Sequence, residues 1–206
     1  MPYDFHGKTA IVTGASRGIG AAIARTLAED GARVILVARN EERLRTLADS
    51  LPGGAAFVTA DFSKPDSWEL VAKAALDISP TVDVLINNAG TIAQEPVKRL
   101  TEKAVDAILT VNVRNLMMLT HALTPALIEA RGAVVSVSSI AAYGGTIGQT
   151  AYAASKGAVN AFTRNASIDL GRYGVRVNAV APGPVDGGMW DAAFEAGVDR
   201  QQMMDS

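Results

Sequence analysis

Six short apolar, β-branched runs alternate with longer stretches of helical periodicity, and that alternation limits the fold more than any other feature. The runs fall at 9–13, 33–37, 55–60, 82–86, 133–137 and 175–180. Helical patterns occupy 21–30, 41–51, 65–77, 101–130 (as one helix or two) and 150–173. Gly31 is placed to end the first helix in a left-handed turn, and Pro52-Gly53-Gly54 closes the second. Asp66 and Glu69 stand near the positive end of the third. Strands separated by single helices predict right-handed βαβ units and a parallel sheet. Continuous apolar strands, without polar alternation, predict a sheet covered on both faces. The expected architecture is α/β: a three-layer, doubly wound parallel sheet of six strands, the Rossmann type.

The chain has 206 residues, of which 49% are hydrophobic and 19% charged. That suits one domain over 1–206 with a sizeable core. A net charge of −2, with no run of basic residues, gives no reason to expect nucleic acid or an anionic membrane as partner. Cysteine is absent, which excludes disulfides, thiolate metal sites and thiol catalysis. Residues 1–8 lack the apolar core of a signal peptide, and no segment reaches the length of a membrane span. A soluble cytoplasmic location is the expectation.

Between the first strand and first helix lies Thr13-Gly14-Ala15-Ser16-Arg17-Gly18-Ile19-Gly20. Glycines there let the backbone turn tightly and approach a ligand, and the helix N-terminus behind them offers free N–H groups to a pyrophosphate. Gly14, Ser16, Arg17, Gly18, Ile19 and Gly20 are therefore candidate cofactor contacts. The spacing is not the GxGxxG fingerprint, and an ordinary βα turn with three glycines also fits. The second strand sharpens the ligand. An NAD site places a carboxylate at its end for the ribose 2′-hydroxyl. Here Ala38 and Arg39 stand there, with no acid before Glu41. Arg17 and Arg39 converging on the ribose would suit a 2′-phosphate, so NADP(H) is expected over NAD(H).

Near the other end, Tyr152 and Lys156 are four residues apart and project from one helix face. Acid/base work by a phenol near neutrality needs a fall of roughly 3 pKa units, about 4 kcal/mol of preference for phenolate. A neighbouring ammonium is the usual source of such a fall.

Taken together, these residues resemble the short-chain dehydrogenase/reductase family, in its compact, 3-oxoacyl-acyl-carrier-protein-reductase-like branch. The matching elements are Thr13-Gly14-x-x-x-Gly18-x-Gly20, Asn87-Asn88-Ala89-Gly90 after the fourth strand and Asn112 between Val111 and Val113. Ser138-Ser139 after the fifth strand, Tyr152-x-x-x-Lys156 and Pro182-Gly183 after the sixth complete the set. The match runs from about Gly7 to Pro184. Any one motif fits an ordinary structural role, but all of them in order form a specific pattern.

The resemblance implies the roles. Asn112, Ser139, Tyr152 and Lys156 would form a catalytic tetrad that interconverts a ketone and a secondary alcohol by hydride transfer. Tyr152 would move the proton and Ser139 would orient the carbonyl oxygen. Lys156 would grip the nicotinamide ribose and depress the Tyr152 pKa, and Asn112 would hold a water. Asp61 and Phe62 would meet the adenine, and Asn88, Ala89, Gly90 and Val111 would line the cofactor. Pro182, Gly183 and Val185 would flank the nicotinamide. No metal is implied. A non-catalytic nucleotide-binding or assembly protein is the alternative, though such a protein has no need of Tyr152 and Lys156 together.

The sequence also departs from the family. Gly187 stands where members usually carry a threonine. Members continue into another helix and a seventh strand, whereas this sequence ends at Ser206. The sixth strand is then expected to be an edge open to pairing, and 186–206 a mobile substrate lid. A homo-oligomer is expected from the resemblance, with Ala151, Ala154, Ala158 and Ala161 allowing close helix contact. His6 and His121 have no partner at ligand spacing, and Leu116, Met117, Met118 and Leu119 read as core or interface.

Overall fold

The computed structural model describes residues 4–185, and the expected lid at 186–206, with Gly187, lies outside them. Its strands are β1 (Thr9–Thr13), β2 (Arg33–Ala38), β3 (Ala56–Thr59), β4 (Val84–Asn87), β5 (Ala133–Val137) and β6 (Arg176–Val180). The α-helices are α1 (Gly18–Glu29), α2 (Glu41–Ser50), α3 (Ser67–Ile78), α4 (Glu102–Leu109), α5 (Asn115–Ala130) and α6 (Thr150–Gly171). All six strands pair in parallel in the order β3-β2-β1-β4-β5-β6.

Alternation along the strands divides the core. Ala10, Val12, Val34 and Leu36 face one side, where Ala21, Ala24 and Leu27 of α1 and Leu44 and Leu47 of α2 cover them. Ile11, Ile35 and Val37 face the other, against Val71 and Ala75 of α3, Leu119, Leu123 and Leu127 of α5 and Ala166 of α6. β1 and β2 are therefore apolar on both faces, the reason their sequences carry no polar alternation, whereas β6 exposes Arg176 and Asn178. Every residue of β1 is buried.

Two terminations follow from local chemistry. Gly31 takes φ +95 just past the C-cap of α1, as its place in the sequence predicts. Asn40 caps α2, its side chain accepting from the Arg43 amide at 2.8 Å. The predicted 101–130 helix is in fact two α-helices joined by a π-helical turn, Thr110–Arg114, which holds Asn112. Such turns recur at functional sites because they displace a side chain from regular helical register.

The order reverses between β1 and β4, and the crevice beyond their C-terminal ends is the site at which open α/β sheets bind ligands. β3 and β6 are the edge strands among the described residues. No helix among them is long and apolar enough to cross a membrane.

Candidate active site

The glycine loop is built from inside as well as for a ligand. Thr13, at the end of β1, donates its hydroxyl to the Ile86 carbonyl and accepts from the backbone N–H groups of Asn88 and Ala89, each at 3.0 Å. Asn88 returns the tie: its Nδ2 donates to the carbonyls of Thr13 at 2.9 Å and Gly14 at 3.2 Å. A Cβ on Gly14 would stand 2.7 Å from that Nδ2, and one on Gly20 would meet it at 2.5 Å. Gly14 also takes φ +66. Asn88, expected beside the ribose, therefore uses its amide nitrogen to pin the loop, and the bareness of Gly14 and Gly20 makes room for it. This internal need had no signal in the sequence beyond the Thr before the loop.

The loop leaves an anion-receptive end. The α1 N-terminus has no side-chain cap and no acidic residue in its first turn. Its N–H groups are thus left for an external acceptor. Ser16 and Arg17 line an open cleft between α1 and α2. The residues present fit a dinucleotide: an uncapped helix end for the pyrophosphate, with guanidiniums alongside.

On the adenine side, Asp61 follows β3. Burial alone would raise its carboxyl. Hydrogen bonds from the Ser63 amide at 3.0 Å and hydroxyl at 2.8 Å, with the charges of Arg39 and Lys64, hold it below the ordinary carboxylate value. Phe62 does not face the cleft. Its ring is buried in the core, where Phe62 and Val111 line a small void with Thr13, Asn87 and Ala89. Both side chains pack against the core beneath the cleft, which leaves their backbone for the expected cofactor contacts. The Phe62 carbonyl accepts from Asn115 Nδ2 at 2.7 Å, and that same nitrogen reaches the Lys64 carbonyl at 3.0 Å.

The chemistry-bearing side chains meet beyond β5. Ser138 continues the pairing of β5 with β6, its amide donating to the Val180 carbonyl at 2.8 Å. Ile140 does the same to Pro182 at 3.1 Å, which sets Pro182 and Gly183 beside Ser139. Val185 is partly exposed beyond them. Ser139 adopts an extended backbone and caps a short 3-10 turn, its hydroxyl accepting from the Ala141 amide at 3.1 Å.

Tyr152 and Lys156 project from the first turns of α6, and both are buried. Burial raises the Tyr152 phenol above its ordinary value, while a side-chain hydrogen bond with Ser139 acts in the opposite direction. Burial also lowers Lys156 to about 8. Its Nζ donates to the Val137 carbonyl at 2.7 Å and lies 5.7 Å from the Tyr152 ring centroid. In the protein by itself, burial is the larger influence on the phenol and the Ser139 side chain the opposing one.

Asn112, 1% exposed, is held at three points. It accepts from the Thr91 amide at 2.8 Å and donates to the Thr91 carbonyl at 2.9 Å and the Ser155 hydroxyl at 3.0 Å. Ser155 donates in turn to the Tyr152 carbonyl at 2.6 Å. Gly90 adjoins the group, since a Cβ there would lie 3.5 Å from Asn112 Oδ1 and 3.7 Å from Lys156 Nζ. Thr91, Asn115 and Ser155 are structural partners that sequence reasoning missed; only their places beside Gly90, Asn112 and Lys156 hinted at them.

Comparison with known proteins agrees with this arrangement. The family model described as short chain dehydrogenase matches residues 8–197. The chain is 37% identical over 190 residues to the 3-oxoacyl-[acyl-carrier-protein] reductase FabG of Vibrio cholerae, covering 92% of this chain and 78% of that protein. It is 34% identical over 199 residues to a sorbitol dehydrogenase of Cereibacter sphaeroides, covering 96% and 78%. Among solved structures, a Pseudomonas aeruginosa RhlG/NADP active-site complex superposes with TM-score 0.89 at 30% identity, over 98% of this chain and 81% of that one. The chain belongs to the short chain dehydrogenase family and is an oxidoreductase of it.

Proposed function

We propose that the protein interconverts a ketone and a secondary alcohol with NADP(H) as the preferred cofactor and Tyr152 as the general acid/base. The observation that supports this best is the convergence of Tyr152, Ser139 and Lys156 beyond β5, with the Ser139 side chain near enough to the Tyr152 phenol to oppose the effect of burial on it. Bound at this rim, the nicotinamide supplies or accepts the hydride.

The chain's own residues do the rest. Tyr152 gives its phenolic proton to the carbonyl oxygen during reduction, or takes one from the alcohol in reverse. Ser139 donates to the same oxygen and fixes its position. Lys156, a cation at neutral pH, favours negative charge at the phenol oxygen as the proton leaves. Asn112 holds the turn that carries Tyr152, through Ser155. The uncapped end of α1 receives the pyrophosphate, and Arg17 supports the preference for a 2′-phosphate. The substrate is a small molecule with a reducible carbonyl, as the names of FabG and sorbitol dehydrogenase suggest for those relatives. A purely nucleotide-binding role gives no reason for a buried lysine beside a buried tyrosine.

The test is NADPH oxidation against a panel of 3-oxoacyl thioesters, sugars and small ketones, with Tyr152→Phe as control. Loss of the phenolic proton should lower kcat about 10²- to 10⁴-fold, leaving NADPH binding unchanged. Equal turnover by both proteins refutes the role of Tyr152.

A further inference from the structure

We propose that Arg114 and Asn115, neighbours where the π-helical turn runs into α5, are positioning residues for the cofactor: they hold the loop after β3 in the shape that lets Asp61 meet the adenine. The proposal rests on the reading of Asp61 as the adenine contact and adds what keeps that residue in place.

The loop between β3 and α3 has a defined shape around Asp61. The Lys64 amide donates to the Asp61 carbonyl at 2.9 Å and closes a turn. Inside it, Ser63 donates its amide to Asp61 Oδ1 at 3.0 Å and its hydroxyl to Asp61 Oδ2 at 2.8 Å. The Asp61 carboxylate is therefore aimed by Ser63, which stands in the chain between Phe62 and Lys64.

Those two flanking residues are where Asn115 acts. Its Nδ2 donates to the Phe62 carbonyl at 2.7 Å and to the Lys64 carbonyl at 3.0 Å, and the residue is buried. Two carbonyls on one nitrogen demand the donor end of an amide, which neither leucine nor aspartate supplies. Arg114 extends the hold. Its guanidinium donates to the Pro65 carbonyl and to Asp66 Oδ1, the latter at 3.4 Å. Asp66 stands at the N-cap of α3 but makes no side-chain cap bond there, so its carboxylate is left for Arg114.

The π-helical turn gives these side chains their direction. The Asn115 amide donates to the Thr110 carbonyl, five residues back instead of four. On a regular α-helix Asn112 and Asn115, three apart, would share a face. Here Asn112 bonds Thr91 and Ser155 on the catalytic side, while Asn115 bonds the loop after β3. One widened turn thus serves both ends of the cofactor crevice. A loop ordered before the cofactor arrives spares the cost of ordering it at binding, so its tethers raise affinity without touching the ligand.

The experiment is fluorescence titration of NADPH or NADH, whichever binds wild type more tightly. The variants are Arg114→Ala, Asn115→Ala, Asp61→Ala and the double variant Asp61→Ala/Arg114→Ala. Arg114→Ala and Asn115→Ala should each weaken the cofactor about 10-fold, the equivalent of one lost hydrogen bond. Asp61→Ala should weaken it at least as much. The double variant should bind no worse than Asp61→Ala, because Arg114 acts through Asp61; a general loss of structure would add to the loss instead. The Arg114 side chain is half exposed, so its variants keep the core intact and decide the matter if Asn115→Ala does not fold. If Asp61→Ala weakens binding while Arg114→Ala does not, or if the two losses add, the positioning role is overturned and the adenine reading stands. If Asp61→Ala binds as tightly as wild type, the adenine reading itself fails, and this proposal with it.

Discussion

Lys156 Nζ stands 5.7 Å from the centroid of the Tyr152 ring while donating to a strand-end carbonyl, that of Val137. Both side chains are buried, and burial drives each toward its neutral form: the phenol upward, the ammonium down to about 8. The pair is therefore not pre-ionised as phenolate and ammonium. Ultraviolet difference spectra of wild type minus Tyr152→Phe, taken from pH 7 to 11 with no ligand added, should show phenolate from Tyr152 forming at higher pH than from an unperturbed tyrosine. A phenolate band near neutrality would contradict this electrostatic account.

Lys156 also makes stability depend on pH. Its folded pKa of about 8 lies below the 10.5 of an unperturbed lysine. Below pH 8 the buried ammonium destabilises the fold in full. Between about 8 and 10.5 the folded protein has released the proton and the unfolded chain still holds it, so stability rises with pH. The full effect is on the order of 3 kcal/mol. Denaturant melts of wild type and Lys156→Met at pH 7, 8, 9 and 10 should therefore differ in slope, the variant lacking the rise. Parallel slopes would mean that this lysine is solvated.

Asn88 and Gly14 form a single structural unit, which predicts a non-additive mutant pair. Asn88→Ala removes the donor to two backbone carbonyls and should cost about 1–3 kcal/mol. Gly14→Ala puts a Cβ against Asn88 Nδ2 on a left-handed backbone and should cost at least as much. The double variant should lose less than the sum, because removing the amide relieves that clash. Gly20→Ala should show much less relief, since its Cβ would also meet the Gly14 carbonyl, which Asn88→Ala leaves in place. Chemical denaturation of wild type and the five variants (three single, two double with Asn88→Ala) measures each value.

Ser155 acts through its neighbours, as a positioning residue. Its hydroxyl joins Asn112 Nδ2 to the Tyr152 carbonyl. Ser155→Ala should lower kcat about 10- to 100-fold while KM holds, the signature of a misplaced catalytic group. Cysteine at this position should recover part of the rate. A rise in KM with kcat intact would assign Ser155 to substrate binding instead.

Most of the fold was legible because strand and helix periods are local. The run 133–137 coincides with β5, and the other elements begin and end within a few residues of their predicted places. The long 101–130 segment was legible as helix, in one segment or two, but the π-helical turn that joins α4 to α5 was not, since one inserted residue per turn leaves no mark on apolar periodicity. The site was legible in part. Ser139, Tyr152 and Lys156 lie together beyond β5, while the packing of the Phe62 and Val111 side chains against the core and the bonds of Asn88 Nδ2 to backbone had no local signal.

By itself the sequence determined the alternating elements, the parallel sheet and the identity of the residues carried to its C-terminal rim, because hydrophobic period and glycine placement act over a few residues. Only the tertiary structure decided what those residues do to one another. Burial raised the Tyr152 phenol, the π-helical turn set Asn112 against Thr91 and Ser155, and Asn88 became the support of the glycine loop. Desolvation, like contact between distant segments, depends on what the rest of the chain places around a group, and no local pattern encodes it.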